Sequence, residues 1–145
     1  MTYNEIKGDL FKDNNRIFAH CISSDFALGA GIAAKFRDYG VKRELENFHD
    51  KYYWKGKGYC IMTPVDLGIV YNLVTKMNYY SKPTYDTLRE SLVDLKRLMV
   101  FNNHRVLAIP RIGCGLDKLD WNAVSGMIKD IFKDTGIDIT VYYLN

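Results

Sequence analysis

The chain is poor in the residues that staple small folds together. It has three cysteines, Cys21, Cys60 and Cys114, and three histidines, His20, His49 and His104, in 145 residues. An odd number of thiols with no Cys-x-x-Cys spacing argues against a disulfide framework and against a zinc site, so no metal is expected. There are only three prolines and no Pro/Ser-rich stretch that reads as a linker. No apolar run approaches the roughly 18 residues of a membrane span. The opening Met1-Thr2-Tyr3-Asn4-Glu5 lacks the basic and apolar regions of a secretory signal. Charge of neither sign is concentrated: the formal +3 is the difference between 20 basic and 17 acidic residues. A nucleic-acid binder usually carries a clustered basic face, and here the lysines are spread through both halves. A soluble, cytoplasmic protein with reduced thiols is expected.

What the chain does have is ordinary globular material, 48% hydrophobic and 26% charged. Its length fits one domain, residues 1–145, large enough to bury a continuous core. Strands are expected at residues 3–7 and 16–22, the second a β-branched and aromatic run closed by Ser23-Ser24-Asp25. Helices follow at 30–39, ended near Gly40, and at 41–51. Two apolar runs, 58–64 and 68–75, read as strands separated by Val65-Asp66-Leu67. Residues 84–102 form the clearest helix, with Tyr85, Leu88, Leu92, Leu95 and Met99 spaced alternately by three and four. Pro83 precedes it, where a missing N–H costs little. Residues 105–109 form a short strand, and Asp120 caps a helix beginning at Trp121. The chain closes on a strand at 138–144. Strands alternating with helices imply an α/β sheet covered on both faces, with ligands beyond the carboxyl ends of the strands.

Three segments fall at those ends. They are Gly8-Asp9-Leu10, the stretch from Ser23 to Ile32, and Arg111-Ile112-Gly113-Cys114-Gly115-Leu116-Asp117. Glycine lets backbone N–H groups approach a ligand closely, and a following helix start adds partial positive charge. Two such loops face to face suit a diphosphate, although a single Gly-x-Gly also serves in plain turns. The Walker lysine motif is absent, which disfavours a nucleoside triphosphatase. Lys76 ends the run Ile69 to Thr75 at a strand's carboxyl end. Asp117 lies in the second glycine loop. In the bland reading both are solvated surface groups. Cys114 sits near a helix start, which favours a thiolate, but no histidine is placed to partner it and a packing role is expected.

Taken together, Gly8-Asp9-Leu10, Gly29-Ala30-Gly31-Ile32-Ala33 and Pro110-Arg111-Ile112-Gly113-Cys114-Gly115-Leu116-Asp117 resemble a macrodomain, more narrowly the terminal ADP-ribose protein glycohydrolase branch. His20-Cys21-Ile22-Ser23, Leu73-Val74-Thr75-Lys76, Lys82-Pro83-Thr84-Tyr85 and Ile139-Thr140-Val141-Tyr142 extend the resemblance over residues 3–144. It implies a three-layer α/β/α fold with a mixed, roughly six-stranded sheet and ADP-ribose in a cleft at the strand ends. By position, Asp9 is expected to accept a hydrogen bond from the adenine amino group beside Leu10. The backbones of Gly29, Ala30, Gly31 and Ile32 and of Ile112, Gly113, Cys114, Gly115 and Leu116 are expected to cradle the diphosphate and distal ribose, with Ser23 at the distal end.

The resemblance places the catalytic pair on Lys76 and Asp117. The lysine would attack the anomeric carbon and displace a glutamyl carboxylate, forming a lysyl–ADP-ribose intermediate that the aspartate helps release. That chemistry needs a neutral amine, against a reference pKa of about 10.4. After Lys76 the sequence runs Met77-Asn78-Tyr79-Tyr80, where relatives are more basic, and either tyrosine can stack on a ligand or simply pack. No cofactor is expected, and the expected partner is ADP-ribose or an ADP-ribosylated substrate. Nucleic acid enters only as a modified substrate, a membrane not at all, and a monomer is expected. Deacylation of O-acetyl-ADP-ribose is a related activity. Two alternatives use the same pocket: a phosphatase acting on ADP-ribose 1″-phosphate without Lys76, and a binding module without turnover.

Overall fold

The computed structural model describes residues 1–144. Six strands, β1 (Tyr3–Lys7), β2 (Ile17–Ser23), β3 (Tyr59–Val65), β4 (Gly68–Lys76), β5 (Val106–Ile109) and β6 (Asp138–Tyr143), form one sheet in the order β1-β6-β5-β2-β4-β3. All neighbours pair in parallel except β3, which runs antiparallel to β4 at one edge. The five parallel strands therefore deliver their carboxyl ends to a single edge of the sheet. The loops after Lys7, Ser23, Lys76 and Ile109 meet there, beside the end of β6 at Tyr143.

Alternation along the strands fills two cores. Ala19, Tyr71, Leu73, Leu107 and Ile109 pack on one face against α3 (Tyr85–Phe101) and α4 (Trp121–Phe132). Their neighbours Phe18, Val70, Val74 and Ala108 pack on the other face against α1 (Gly31–Asp38) and α2 (Val41–Phe48). In α3 the buried Leu88, Leu92, Leu95 and Met99 are the residues whose spacing predicts the helix. Each such side chain contributes about 1.5–3 kcal/mol on leaving water. Thr84 and Thr87 cap α3 reciprocally, and the Asp120 carboxylate accepts from Ala123 N–H at 3.0 Å to start α4.

A polar cluster centred on His20 lies inside this apolar interior. His20 is fully buried, with Nε2 2.7 Å from Asn72 Oδ1, while Asn72 Nδ2 donates to Ile61 O and Thr63 Oγ1. These contacts join β2, β4 and β3. The ring centroid of His20 is 4.2 Å from that of Phe36, and burial pulls its pKa down to about 4.

Most element bounds shift by a residue from the sequence-based expectation, and three departures are larger or touch the carboxyl edge of the sheet. The second helix ends at Phe48, three residues earlier than expected, where the backbone turns extended at His49. Ser23 is the last residue of β2, not part of the loop after it. Residues Leu10–Lys12 form a 3₁₀ turn capped by Asp9, whose Oδ1 accepts from Phe11 N–H at 3.0 Å. A single turn carries no periodicity and escapes a pattern search.

Candidate active site

The parallel pairing of β2 and β4 brings Lys76 to the centre of the carboxyl edge. Their register is regular from Ile17↔Ile69 to Ile22↔Val74, then slips so that Ser23 pairs with Lys76. Such a bulge re-aims the side chain that follows it. Lys76 Nζ donates to Asp117 Oδ1 at 2.7 Å, and both side chains are about 85% buried, with 14% and 15% exposed. Asp117 reaches this point from the loop after β5, the strand on the other side of β2.

The pair lines a cavity of about 830 Å³. Along one side run Ala27, Leu28, Gly29, Ala30, Gly31 and Ile32; along the other run Pro110, Arg111, Ile112, Gly113, Gly115 and Leu116. Ser23 also lines it, buried, its Oγ donating to Asp25 Oδ1. The glycines are required where the backbone is left-handed: Gly31 opens α1 at φ +58, and Gly113 has φ +74. A Cβ on Gly113 would lie 3.1 Å from Leu119 Cδ1. No side chain caps α1, whose first residues line the cavity. Its exposed N–H groups and helix dipole favour an anion.

A second cavity of about 600 Å³ adjoins the first, sharing Ile32, Pro110, Arg111 and Gly115 with it. Asp9, Leu10 and Cys114 line this second lobe, so the sequence-derived residues divide between the two. The two lobes meet along the Pro110–Arg111 segment and Gly115, with Phe11, Trp121, Tyr142 and Tyr143 lining the second. Cys114 Sγ contacts Ile112 O at 3.3 Å, and burial pushes its thiol up to about 11. That opposes the thiolate that a helix start would favour and supports a packing role.

Two residues without a sequence-based role, Arg111 and Lys82, stand at the site, beside Tyr79, for which ligand stacking or plain packing is the expectation. Arg111 lines both lobes, its guanidinium 4.4 Å from the Tyr143 ring centroid and 3.5 Å from Glu5 Oε1. Lys82 donates to Leu116 O at 3.1 Å and ties the segment after β4 to the second glycine loop. Tyr79 lines the Lys76 lobe with its side chain exposed and edge-on to Tyr80 at 5.3 Å. Arg111 and Lys82 stand inside the motifs that carry the resemblance, but only the folded contacts show their use.

The human ADP-ribose glycohydrolase OARD1 is 43% identical to this chain over 141 residues, 96% of this chain and 90% of that protein. Among solved structures, the macrodomain of Mycobacterium tuberculosis DarG is similar with a TM-score of 0.79 at 22% identity, covering 97% of both chains. Thermosipho africanus DarTG in complex with ADP-ribose is similar with a TM-score of 0.78 at 19% identity, covering 97% of this chain and 41% of that one. No family model matches. A mixed six-stranded sheet between two helical layers, with its cleft at the strand ends, is the macrodomain fold. The chain belongs to the macrodomain family, in the branch that includes OARD1.

Proposed function

We propose that the protein is an ADP-ribose glycohydrolase that releases ADP-ribose from glutamyl esters, with Lys76 as nucleophile and Asp117 as acid/base. The observation that carries this reading is the 2.7 Å contact between the two side chains inside the cavity between the glycine loops. The resemblance to OARD1, itself described as an ADP-ribose glycohydrolase, supports the reaction class. The ADP-ribose complex of the DarTG neighbour supports the ligand.

In this reading adenosine occupies the lobe of Asp9 and Leu10. The diphosphate lies against the Gly29–Ile32 and Ile112–Leu116 backbones, and the distal ribose faces Lys76 near Ser23. A proton passes from the Lys76 ammonium to Asp117, freeing the amine lone pair. That pair forms a bond to the anomeric carbon as the carbon–oxygen bond breaks toward the glutamyl carboxylate. The departing carboxylate takes up the proton held by Asp117. Asp117 then removes a proton from water, whose oxygen bonds to the anomeric carbon while the carbon–nitrogen bond returns its electrons to Lys76. Transfer of that proton from Asp117 to the amine restores the starting pair. The same sequence at an acetyl ester of the anomeric hydroxyl would yield ADP-ribose and acetic acid.

The test is turnover of a mono-ADP-ribosylated glutamyl peptide by wild type, Lys76→Ala and Asp117→Ala. Full rates in both variants would overturn the mechanism. Phosphate release from ADP-ribose 1″-phosphate that survives Lys76→Ala would favour a phosphatase, and tight binding with no turnover of any ester would leave a binding module.

A further inference from the structure

The first glycine loop is strained just before its glycines. Phe26 has φ 55 and Leu28 has φ 44, both in the left-handed region, yet both side chains are buried. Bulky residues rarely adopt this backbone unless the surroundings enforce it. Part of the enforcement is core packing: Phe26 and Leu28 lie in the same apolar cluster as Phe36, Val41 and Leu45. Packing alone does not orient the peptide groups, which carry the hydrogen bonds a ligand would use.

Two opposite charges grip one of those peptides. Lys42, the second residue of α2, sends its ammonium to Phe26 O at 2.5 Å and to Ala27 O at 3.4 Å. On the other side of the same planar unit, Ala27 N–H donates to Asp25 Oδ1 at 3.2 Å. Since a trans peptide points its C=O and N–H in opposite directions, the two contacts fix its rotation from both ends. Asp25 is itself anchored, accepting from Ser23 Oγ on Oδ1 and from Tyr79 N–H on Oδ2 at 2.9 Å. With the Phe26 and Ala27 carbonyls turned toward Lys42, the N–H of Leu28 turns away from it. Among the described residues, the backbone N–H groups of Leu28, Gly29 and Ala30 have no protein acceptor. All three residues line the cavity.

We propose that Lys42, acting with Asp25, is a positioning residue that holds the first glycine loop in its anion-accepting shape. It touches no reacting atom. Its effect is on binding, through the direction in which the Leu28–Ile32 amides are presented. The proposal rests on the reading of this cleft as an ADP-ribose site. It adds that the loop's affinity for a diphosphate depends on a cation outside the cavity lining, attracted to carbonyls and not to the ligand.

The test compares wild type with Lys42→Met, which keeps the aliphatic stem, and Lys42→Arg, which keeps the charge and the donors. ADP-ribose affinity is measured by calorimetry, KM and kcat with a mono-ADP-ribosylated glutamyl peptide, and folding by thermal midpoint. For Lys42→Met the expected result is a rise of about tenfold in both Kd and KM with kcat changed by less than about twofold, and recovery of most of the affinity in Lys42→Arg. If Lys42→Met does not fold, Lys42→Gln replaces it, with a smaller rise in the same two constants and the same constant kcat. Unchanged Kd and KM in a folded variant would overturn the proposal while leaving the site reading intact. A fall in kcat at constant KM would overturn it as well. A wild-type protein that neither binds ADP-ribose nor cleaves the peptide would overturn the site reading, and the proposal with it.

Discussion

Lys76 Nζ and Asp117 Oδ1 sit 2.7 Å apart although 41 positions separate them in the chain. Three devices bring them together: parallel pairing of β2 with β4 and β5, the slip that sets Lys76 opposite Ser23, and the glycine loop that returns Asp117 to the strand ends. In the proposed mechanism the pair acts on the reacting bond, and the lining around it acts on binding. Lys76→Ala and Asp117→Ala are each expected to lower kcat for glutamyl-ester cleavage by about 10²-fold or more. ADP-ribose affinity should change by less than about fivefold, because in the proposed reading the backbone of the two glycine loops holds the diphosphate. Single-turnover kinetics alongside calorimetry checks the split.

The adenosine end should respond in the opposite way. Asp9 presents a carboxylate to the second lobe while capping the 3₁₀ turn through Phe11 N–H. Asp9→Ala is expected to weaken ADP-ribose binding by about tenfold, from one lost charge-assisted hydrogen bond, with kcat at saturation little changed. The same change should cost about 1 kcal/mol of stability through the lost cap. Titration with ADP-ribose and with ribose 5-phosphate, which lacks adenine, separates the two effects: only the first should weaken.

Gly113 tests the backbone cradle. Its φ of +74 and the 3.1 Å approach of Leu119 Cδ1 to a built Cβ both act against a side chain. Gly113→Ala is expected to destabilise the fold by roughly 1–2 kcal/mol and to weaken ADP-ribose binding as the loop shifts. Chemical denaturation and calorimetry measure the two losses.

His20 predicts a pH dependence of folding that is separate from catalysis. Burial lowers its pKa to about 4 from an ordinary value of 6.5. Between those values the unfolded chain binds the proton more readily than the native one, so stability falls as pH drops from about 6.5 to about 4 and levels off below that. Above pH 6.5 this contribution is fully present. At most about 3 kcal/mol is lost, provided Asn72 stays paired with the neutral ring. Urea midpoints across this window check the slope, and an NMR titration of His20 with a midpoint near 6.5 would contradict it.

Much of this architecture is legible in the residues themselves. The 3–4 spacing of Leu88, Leu92, Leu95 and Met99 specifies α3, and glycines at three strand ends mark the edge that holds the cavity before any contact is known. What local pattern does not carry is the consequence of register. Ser23 reads as a turn residue because it begins a Ser-Ser-Asp cluster, yet pairing with β4 keeps it in the sheet. The charge pair across the Phe26–Ala27 peptide is equally hidden, since Lys42 lies on a helix of mixed charge where a lysine ordinarily faces solvent. The segment at residues 51–57 joins three lysines to Tyr52, Tyr53 and Trp54. Tyr52 N–H donates to Ser24 O at 2.8 Å beside the site, a juxtaposition that net charge conceals.

The defining step of the proposed mechanism is a covalent bond between Lys76 and the distal ribose. The most direct measurement is intact-protein and peptide mass spectrometry of Asp117→Ala after incubation with a mono-ADP-ribosylated glutamyl peptide, since loss of the aspartate should slow release of the intermediate. The expected result is an ADP-ribosyl adduct localised to Lys76 and missing when Lys76 is also replaced by Ala. Wild-type cleavage with no adduct on Lys76, in a variant that still binds ADP-ribose, would contradict it.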